Sequence, residues 1–79
     1  MSELPKRILS SLMVMGVQSP DRAMSIKDLA DKLGMGRSAV ESELKSLIDA
    51  GYAKLKDESG TSTVYLTATG IITASSIYS

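Results

Sequence analysis

Apolar residues recur at helical spacing through the first fifteen positions of the chain. Pro5 suits the first turn of a helix, because its missing N–H would have no partner there. Gly16 and the turn sequence Ser19-Pro20-Asp21 indicate that this helix ends soon after Met15. We therefore predict a first helix from about Pro5 to Met15, with an apolar stripe made of Leu4, Ile8, Leu9, Leu12, Met13 and Met15.

Two further amphipathic stretches follow, separated by a turn that contains two glycines. Ser25 places a hydroxyl three residues before Asp28, a spacing close to the capping box that begins a helix. Gly34 fits the left-handed residue that ends this second helix, and a third helix is predicted over about 37–50, ended by Gly51. The expected core residues are Ile26, Leu29, Ala30 and Leu33 from the second helix, and Val40, Leu44, Leu47 and Ile48 from the third.

Alternating and β-branched residues predict a hairpin over residues 52–66, with a polar loop at 57–60. Alternation assigns its side chains to two faces: Ala53, Leu55, Val64 and Leu66 inward, and Lys54, Lys56, Thr63 and Tyr65 on the other side. The sequence from Thr67 to Gly70 fits a helix start, so we predict a short final helix. At its end Ile77 and Tyr78 either pack back on the first helix or contact another chain.

Composition and charge restrict the function further. The 79 residues include 9 Lys and Arg against 9 Asp and Glu, and they contain neither Cys nor His. The commonest metal ligands and the commonest general base are therefore missing, so we expect a non-enzymatic protein without catalytic residues, metal or cofactor. The apolar runs are too short to cross a bilayer and no signal-peptide pattern is found. We expect one cytoplasmic domain over residues 1–79, with an ordered core at about 4–75.

Three helices with a tight turn between the second and third, followed by a hairpin, are typical of a helix-turn-helix with a wing. The chain resembles the winged helix-turn-helix superfamily, of the kind found in MarR-type and ArsR-type regulators. This resemblance implies an α+β, mainly α fold: a three-helix core, a C-terminal β-hairpin wing and a short final helix. It is carried by Ser25, Ile26, Leu29, Ala30, Leu33, Gly34, Met35, Ser38, Val40, Leu44, Leu47, Gly51 and Tyr52, and by Tyr65, Leu66, Thr67 and Gly70.

The resemblance also implies that the third helix enters the major groove of double-stranded DNA while the hairpin contacts phosphate or the minor groove. On a helical wheel, the outward face of the third helix holds Ser38, Ala39, Ser42, Lys45, Ser46 and Asp49, flanked by Glu41 and Glu43. The implied DNA-binding residues are Arg37, Ser38, Ser42, Lys45, Lys54 and Lys56, with Thr61 or Ser62 as further candidates from the wing.

The charges of the third helix weigh against this role, because phosphate attraction usually requires a basic surface. Arg37 and Lys45 are outnumbered by Glu41, Glu43 and Asp49. Two hypotheses therefore remain open. The first is a DNA-binding module with a regulatory or architectural role. The second is a protein-interaction winged helix that acts as a small accessory subunit of a replication, transcription or other multi-protein assembly. In both, the protein is a monomer or homodimer without a membrane partner.

Overall fold

The computed structural model describes residues 3–78, and for Tyr78 it describes the backbone alone. Within these residues the chain forms four α-helices, one 3₁₀ turn and three antiparallel strands in the order β1-β3-β2. The elements in chain order are α1 (Glu3–Val14), the 3₁₀ turn (Pro20–Arg22), β1 (Met24–Ser25), α2 (Ile26–Leu33), α3 (Arg37–Asp49), β2 (Ala53–Glu58), β3 (Thr61–Leu66) and α4 (Ala68–Tyr78).

One aliphatic core joins all four helices to the sheet. Ile8, Leu9 and Leu12 of α1 lose all contact with solvent, which confirms the predicted stripe. Leu4, Met13 and Met15 pack around this core with part of their surface exposed. The other buried apolar residues are Val17, Ile26, Leu29, Ala30, Leu33, Val40, Leu44, Leu47, Ala53, Val64, Leu66 and Ala74.

Local hydrogen bonds define both ends of α2 and the turn that leads to α3. The Ser25 hydroxyl accepts a hydrogen bond from the backbone N–H of Asp28 at 3.1 Å, which confirms the predicted cap of α2. Gly34 adopts a left-handed conformation with φ of 66° and ends that helix. The N–H of Met35 then reaches back to the carbonyl of Ala30 at 3.0 Å. The last two contacts satisfy carbonyls at the end of α2 and allow α3 to begin after a connection of three residues, 34–36.

The hairpin is longer and tighter than predicted. Asp57 pairs with Ser62 and Glu58 with Thr61, so the strands continue through most of the predicted loop and leave a two-residue turn. Both turn residues, Ser59 and Gly60, have positive φ, which is typical of a turn matched to the twist of two paired strands.

One inward position of the hairpin was predicted wrongly. Ala53, Val64 and Leu66 are buried as expected, whereas Leu55 keeps 52% of its surface exposed. Leu55 lies on the predicted face opposite Val64, but Val64 belongs to the central strand and Leu55 to an edge strand. The side chain therefore lies beside the core instead of inside it.

The face of β3 opposite the predicted inward face is partly covered as well. Thr63 is buried and its hydroxyl donates a hydrogen bond to the carbonyl of Lys56 at 2.7 Å. The 3₁₀ turn packs against β3. The short strand β1, which pairs Met24 with Val64, was not predicted, since two residues carry no readable alternation.

The predicted final helix is present as α4 and packs along α1. The Thr67 hydroxyl accepts a hydrogen bond from the N–H of Gly70 at 3.0 Å and donates one to the carbonyl of Gly51 at 2.6 Å. Ile77 packs against the core, which favours the first of the two predicted arrangements for this residue. The side chain of Tyr78, for which the same alternative was posed, lies outside the described residues.

Candidate nucleic-acid interface

The outward face of α3 carries mostly short side chains. The helix turns its buried residues, Val40, Leu44 and Leu47, toward the core. Ser38, Ser42 and Lys45 are exposed on the opposite side, as the helical wheel predicts. Ala39, Ser46 and Asp49 are exposed as well. A surface of this shape allows the helix backbone to approach a large partner closely.

Arg37 occupies the first turn of α3, where a positive charge opposes the helix dipole. Its Nε donates a hydrogen bond to Oε1 of Glu41 at 2.8 Å, one helical turn further along. Both side chains remain largely in solvent, with exposed fractions of 58% and 49%. Such an exposed pair stabilises a helix by only about 0.3–0.5 kcal/mol, so helix stability gives little reason for Arg37 to be placed here.

A groove of about 360 Å³ separates α3 from the hairpin. Its apolar lining includes the exposed Leu55 and the half-buried Ile48, while Arg37, Glu41 and Lys45 border it. Ser62 lies on the hairpin side of the same groove. The exposure of Leu55 is therefore part of a concave surface that continues from the outward face of α3.

The two hairpin lysines lie away from this groove. Because side chains alternate along a strand, Lys54 and Lys56 occupy the sheet face opposite Leu55. Lys56 donates a long hydrogen bond from Nζ to the carbonyl of Pro20 at 3.4 Å and lies 3.9 Å from the Glu58 carboxylate. Lys54 is exposed.

The structure thus brings Arg37, Ser38, Ser42 and Lys45 together on α3, but it does not place Lys54 and Lys56 beside them. The groove residues Ile48 and Leu55 were not predicted as site residues, because their apolar character indicated only a core position. The contact between Arg37 and Glu41 was also missed, although their spacing of four residues is the signal for such a pair.

Other kinds of site find little support among the described residues. Within residues 3–78 no three Asp or Glu side chains are grouped in a way that would hold a metal ion. None of the helices in that range is long and apolar enough to span a bilayer.

A helix-turn-helix whose third helix presents an open face, followed directly by a β-hairpin, defines the winged-helix fold. The chain has this fold, as its sequence predicts. The assignment rests on structure, because no family model and no curated protein sequence matches the chain.

Solved structures with the same architecture include several transcription regulators. MepR, a regulator of a multidrug efflux pump in Staphylococcus aureus, superimposes with a TM-score of 0.86 at 15% identity, over 99% of this chain and 56% of its own. A variant of MarR from E. coli in complex with operator DNA superimposes with a TM-score of 0.83 at 15% identity. The match covers 99% of this chain and 54% of the MarR chain. This chain therefore spans little more than half the length of those two regulators.

A putative DNA-binding protein from Ralstonia eutropha is similar over the full length of both chains. Its TM-score is 0.76 at 22% identity. At these levels of identity the similarity establishes the fold of the described residues, and the function has to be argued from the surface that this chain presents.

Proposed function

We propose that this protein is a non-enzymatic winged-helix module that binds double-stranded DNA in a regulatory or architectural role. In this proposal α3 enters the major groove and the hairpin of residues 52–66 acts as the wing. The observation that carries the proposal is the outward face of α3, on which Ser38, Ser42 and Lys45 are exposed beside Arg37.

The shape of this face supports insertion into a groove. The major groove is wide enough to admit an α-helix, and short serine side chains keep the distance between helix backbone and DNA small. Serine hydroxyls hydrogen-bond to phosphate oxygens or base edges, Lys45 is suited to phosphate, and Arg37 to a guanine edge or phosphate. Operator DNA is bound by MarR, a neighbour with the same fold.

The wing contributes less in this proposal than the resemblance implied. Lys54 is exposed and available for phosphate, whereas Lys56 already contacts Pro20 and Glu58. Ser62 is the wing residue that lines the groove beside α3, whereas Thr61 alternates to the sheet face of Lys56. In this proposal Lys54 therefore contributes to DNA binding only through the attraction between its charge and phosphate.

Fluorescence anisotropy with a labelled duplex of mixed sequence at low salt tests the proposal. Replacing both Arg37 and Lys45 by Ala should weaken binding at least about tenfold, since one good arginine–base contact alone contributes about 1–3 kcal/mol. The matched control replaces Lys6 and Lys32, which lie on α1 and in the last turn of α2. It removes the same charge from a different surface and should change affinity far less.

Two results would contradict the proposal. One is the absence of duplex binding at low salt by the unmodified chain. The other is an equal loss of affinity in the two double variants, which would show that net charge matters and α3 does not.

A protein-interaction role is the second candidate, favoured by the apolar groove and by the acidic excess on α3. Leu55 is exposed at 52%, and Glu41, Glu43 and Asp49 outnumber the basic residues of the helix. An NMR titration with a short duplex separates the two roles. Shifts confined to α3 and the wing support DNA binding, while unchanged α3 resonances at saturating duplex would favour a protein partner.

A further inference from the structure

Glu41 is the acidic residue in direct contact with the arginine of the proposed DNA-binding face. Its Oε1 accepts a hydrogen bond from Nε of Arg37 at 2.8 Å. Nε lies on one edge of the planar guanidinium, and the two terminal nitrogens, Nη1 and Nη2, form another edge. Among residues 3–78 no partner of these terminal nitrogens is found.

The placement of this carboxylate needs an explanation if α3 binds DNA. A negative charge on a groove-facing helix repels phosphate, and an exposed pair of this kind adds little to the stability of the helix. A free arginine side chain, however, retains much rotamer freedom, and part of that freedom is lost when it binds. A contact at Nε limits this freedom before the DNA arrives.

The edge that remains free is the edge that reads guanine. Arginine recognises guanine by donating two parallel hydrogen bonds to O6 and N7 in the major groove. A carboxylate that occupies Nε leaves Nη1 and Nη2 for this contact and restricts the orientations of the guanidinium. A guanidinium held in this way presents the donor pair in the arrangement that the flat edge of guanine requires.

We propose that Glu41 is a positioning residue that holds Arg37 by its Nε, so that the terminal nitrogens of Arg37 read a guanine in the major groove. The inference rests on the proposed DNA-binding function and deepens it, because it assigns sequence discrimination to this pair. Glu41 itself does not contact DNA. It lowers general affinity through its charge and raises the preference for a guanine-containing site.

Comparison of Glu41→Gln with Glu41→Ala separates positioning from charge. Both changes remove the same negative charge, but the glutamine amide keeps a carbonyl oxygen that can accept the hydrogen bond from Nε. Two probes are required: a duplex enriched from a random 20-base-pair library with the unmodified chain, and a scrambled duplex of equal composition. The readout is the ratio of the two affinities at fixed salt.

We expect both variants to bind the scrambled duplex more tightly by a similar factor. The affinity ratio should stay within about twofold of the unmodified value in Glu41→Gln. It should fall by about three- to tenfold in Glu41→Ala, which is the cost of ordering one flexible side chain upon binding. Thermal unfolding of each variant checks that the fold persists.

A double-variant cycle tests whether the effect passes through Arg37. In an Arg37→Ala background, Glu41→Ala should leave the affinity ratio unchanged, because nothing remains to be positioned. Glu43→Ala is the matched control: it removes an acidic residue from the same helix, but Glu43 lies on the side of α3 away from Arg37. It should preserve the ratio.

Three outcomes would overturn the inference while leaving DNA binding intact. In the first, the enriched duplex binds no better than the scrambled one. In the second, Glu41→Gln and Glu41→Ala have equal affinity ratios. In the third, Glu41→Ala lowers the affinity ratio as much in the Arg37→Ala background as in the unmodified chain. A chain that binds no duplex at all would overturn the proposed function and this inference together.

Discussion

At the scale of single residues, Gly70 fixes the junction between the hairpin and α4. A Cβ atom at this position would overlap the carbonyl oxygen of Tyr52. That carbonyl also accepts a hydrogen bond from the N–H of Thr67 at 3.1 Å, so it is held from a second direction. The close approach brings the start of α4 against the start of β2, and there is no space for a side chain between them.

Replacing Gly70 by Ala should therefore destabilise the protein by about 1–3 kcal/mol, the usual cost of forcing extra volume into packed structure. A loss of stability would be informative, because Gly→Ala inside a helix ordinarily stabilises a protein by up to about 1 kcal/mol. Urea denaturation measures the change. Thr69→Ala, at an exposed position in the same turn, is the control and should be nearly neutral; stabilisation by Gly70→Ala would refute the close approach.

The cap of α2 gives a second prediction for a single residue. Ser25→Ala removes the acceptor for the N–H of Asp28 and should cost about 0.5–2 kcal/mol in the free energy of unfolding. Ser25→Thr keeps a hydroxyl and should retain most of the stability. If both variants unfold at the same urea concentration, the hydroxyl of Ser25 does not cap the helix.

At the scale of elements, the turn of the hairpin determines how far the two strands remain paired. Ser59 and Gly60 have φ values of 52° and 81°. Residues that carry a Cβ atom rarely adopt this left-handed backbone region. A two-residue turn of this kind matches the twist of the strands and keeps Glu58 opposite Thr61. The geometry of the proposed wing thus depends on the conformation of two residues.

Gly60→Ala should lower the stability by about 1–2 kcal/mol through backbone strain alone, because no atom lies within 4 Å of the added Cβ. Ser59→Asn should instead increase stability slightly, since Asn followed by Gly is the preferred sequence for this turn. Both changes are measured by denaturant unfolding. Equal destabilisation by the two substitutions would contradict the assigned turn.

At the scale of the whole molecule, the charges are balanced and dispersed. The 9 basic and 9 acidic residues cancel, and the basic residues proposed to reach DNA come from separate elements, Arg37 and Lys45 from α3 and Lys54 from β2. General attraction to DNA should accordingly be weak. Any strong binding would have to come from base contacts and a good fit of shape.

The salt dependence of binding tests this expectation. With Arg37 directed at a base, phosphate contacts from Lys45 and Lys54 of one copy neutralise about two phosphates, which predicts a slope of log K against log salt of about −2. The slope should become shallower by about 1 for each of these two lysines changed to Ala, whereas Arg37→Ala should change it less. A slope of about −6 for the unmodified chain would disagree with the contact set, or would require two copies on one duplex.

Much of the fold was predictable because its signals are carried by neighbouring residues. The stripe of α1, the cap at Ser25 and the stop at Gly34 each depend on a few adjacent positions. The fold class and the outward face of α3 follow from such local signals. The hairpin was predictable for the same reason. The length of its turn was not predictable, because the pairing of Glu58 with Thr61 involves both strands.

The order and type of the main elements, the aliphatic core and the outward positions of α3 follow from patterns in the amino-acid sequence. Two features became visible only in three dimensions: Leu55 borders a groove against α3 that Lys54 and Lys56 do not line, and Met24 pairs with Val64. The physical reason is the range of the interactions: helical periodicity and caps act within one or two turns, whereas exposure at a sheet edge depends on contacts between residues far apart in the chain.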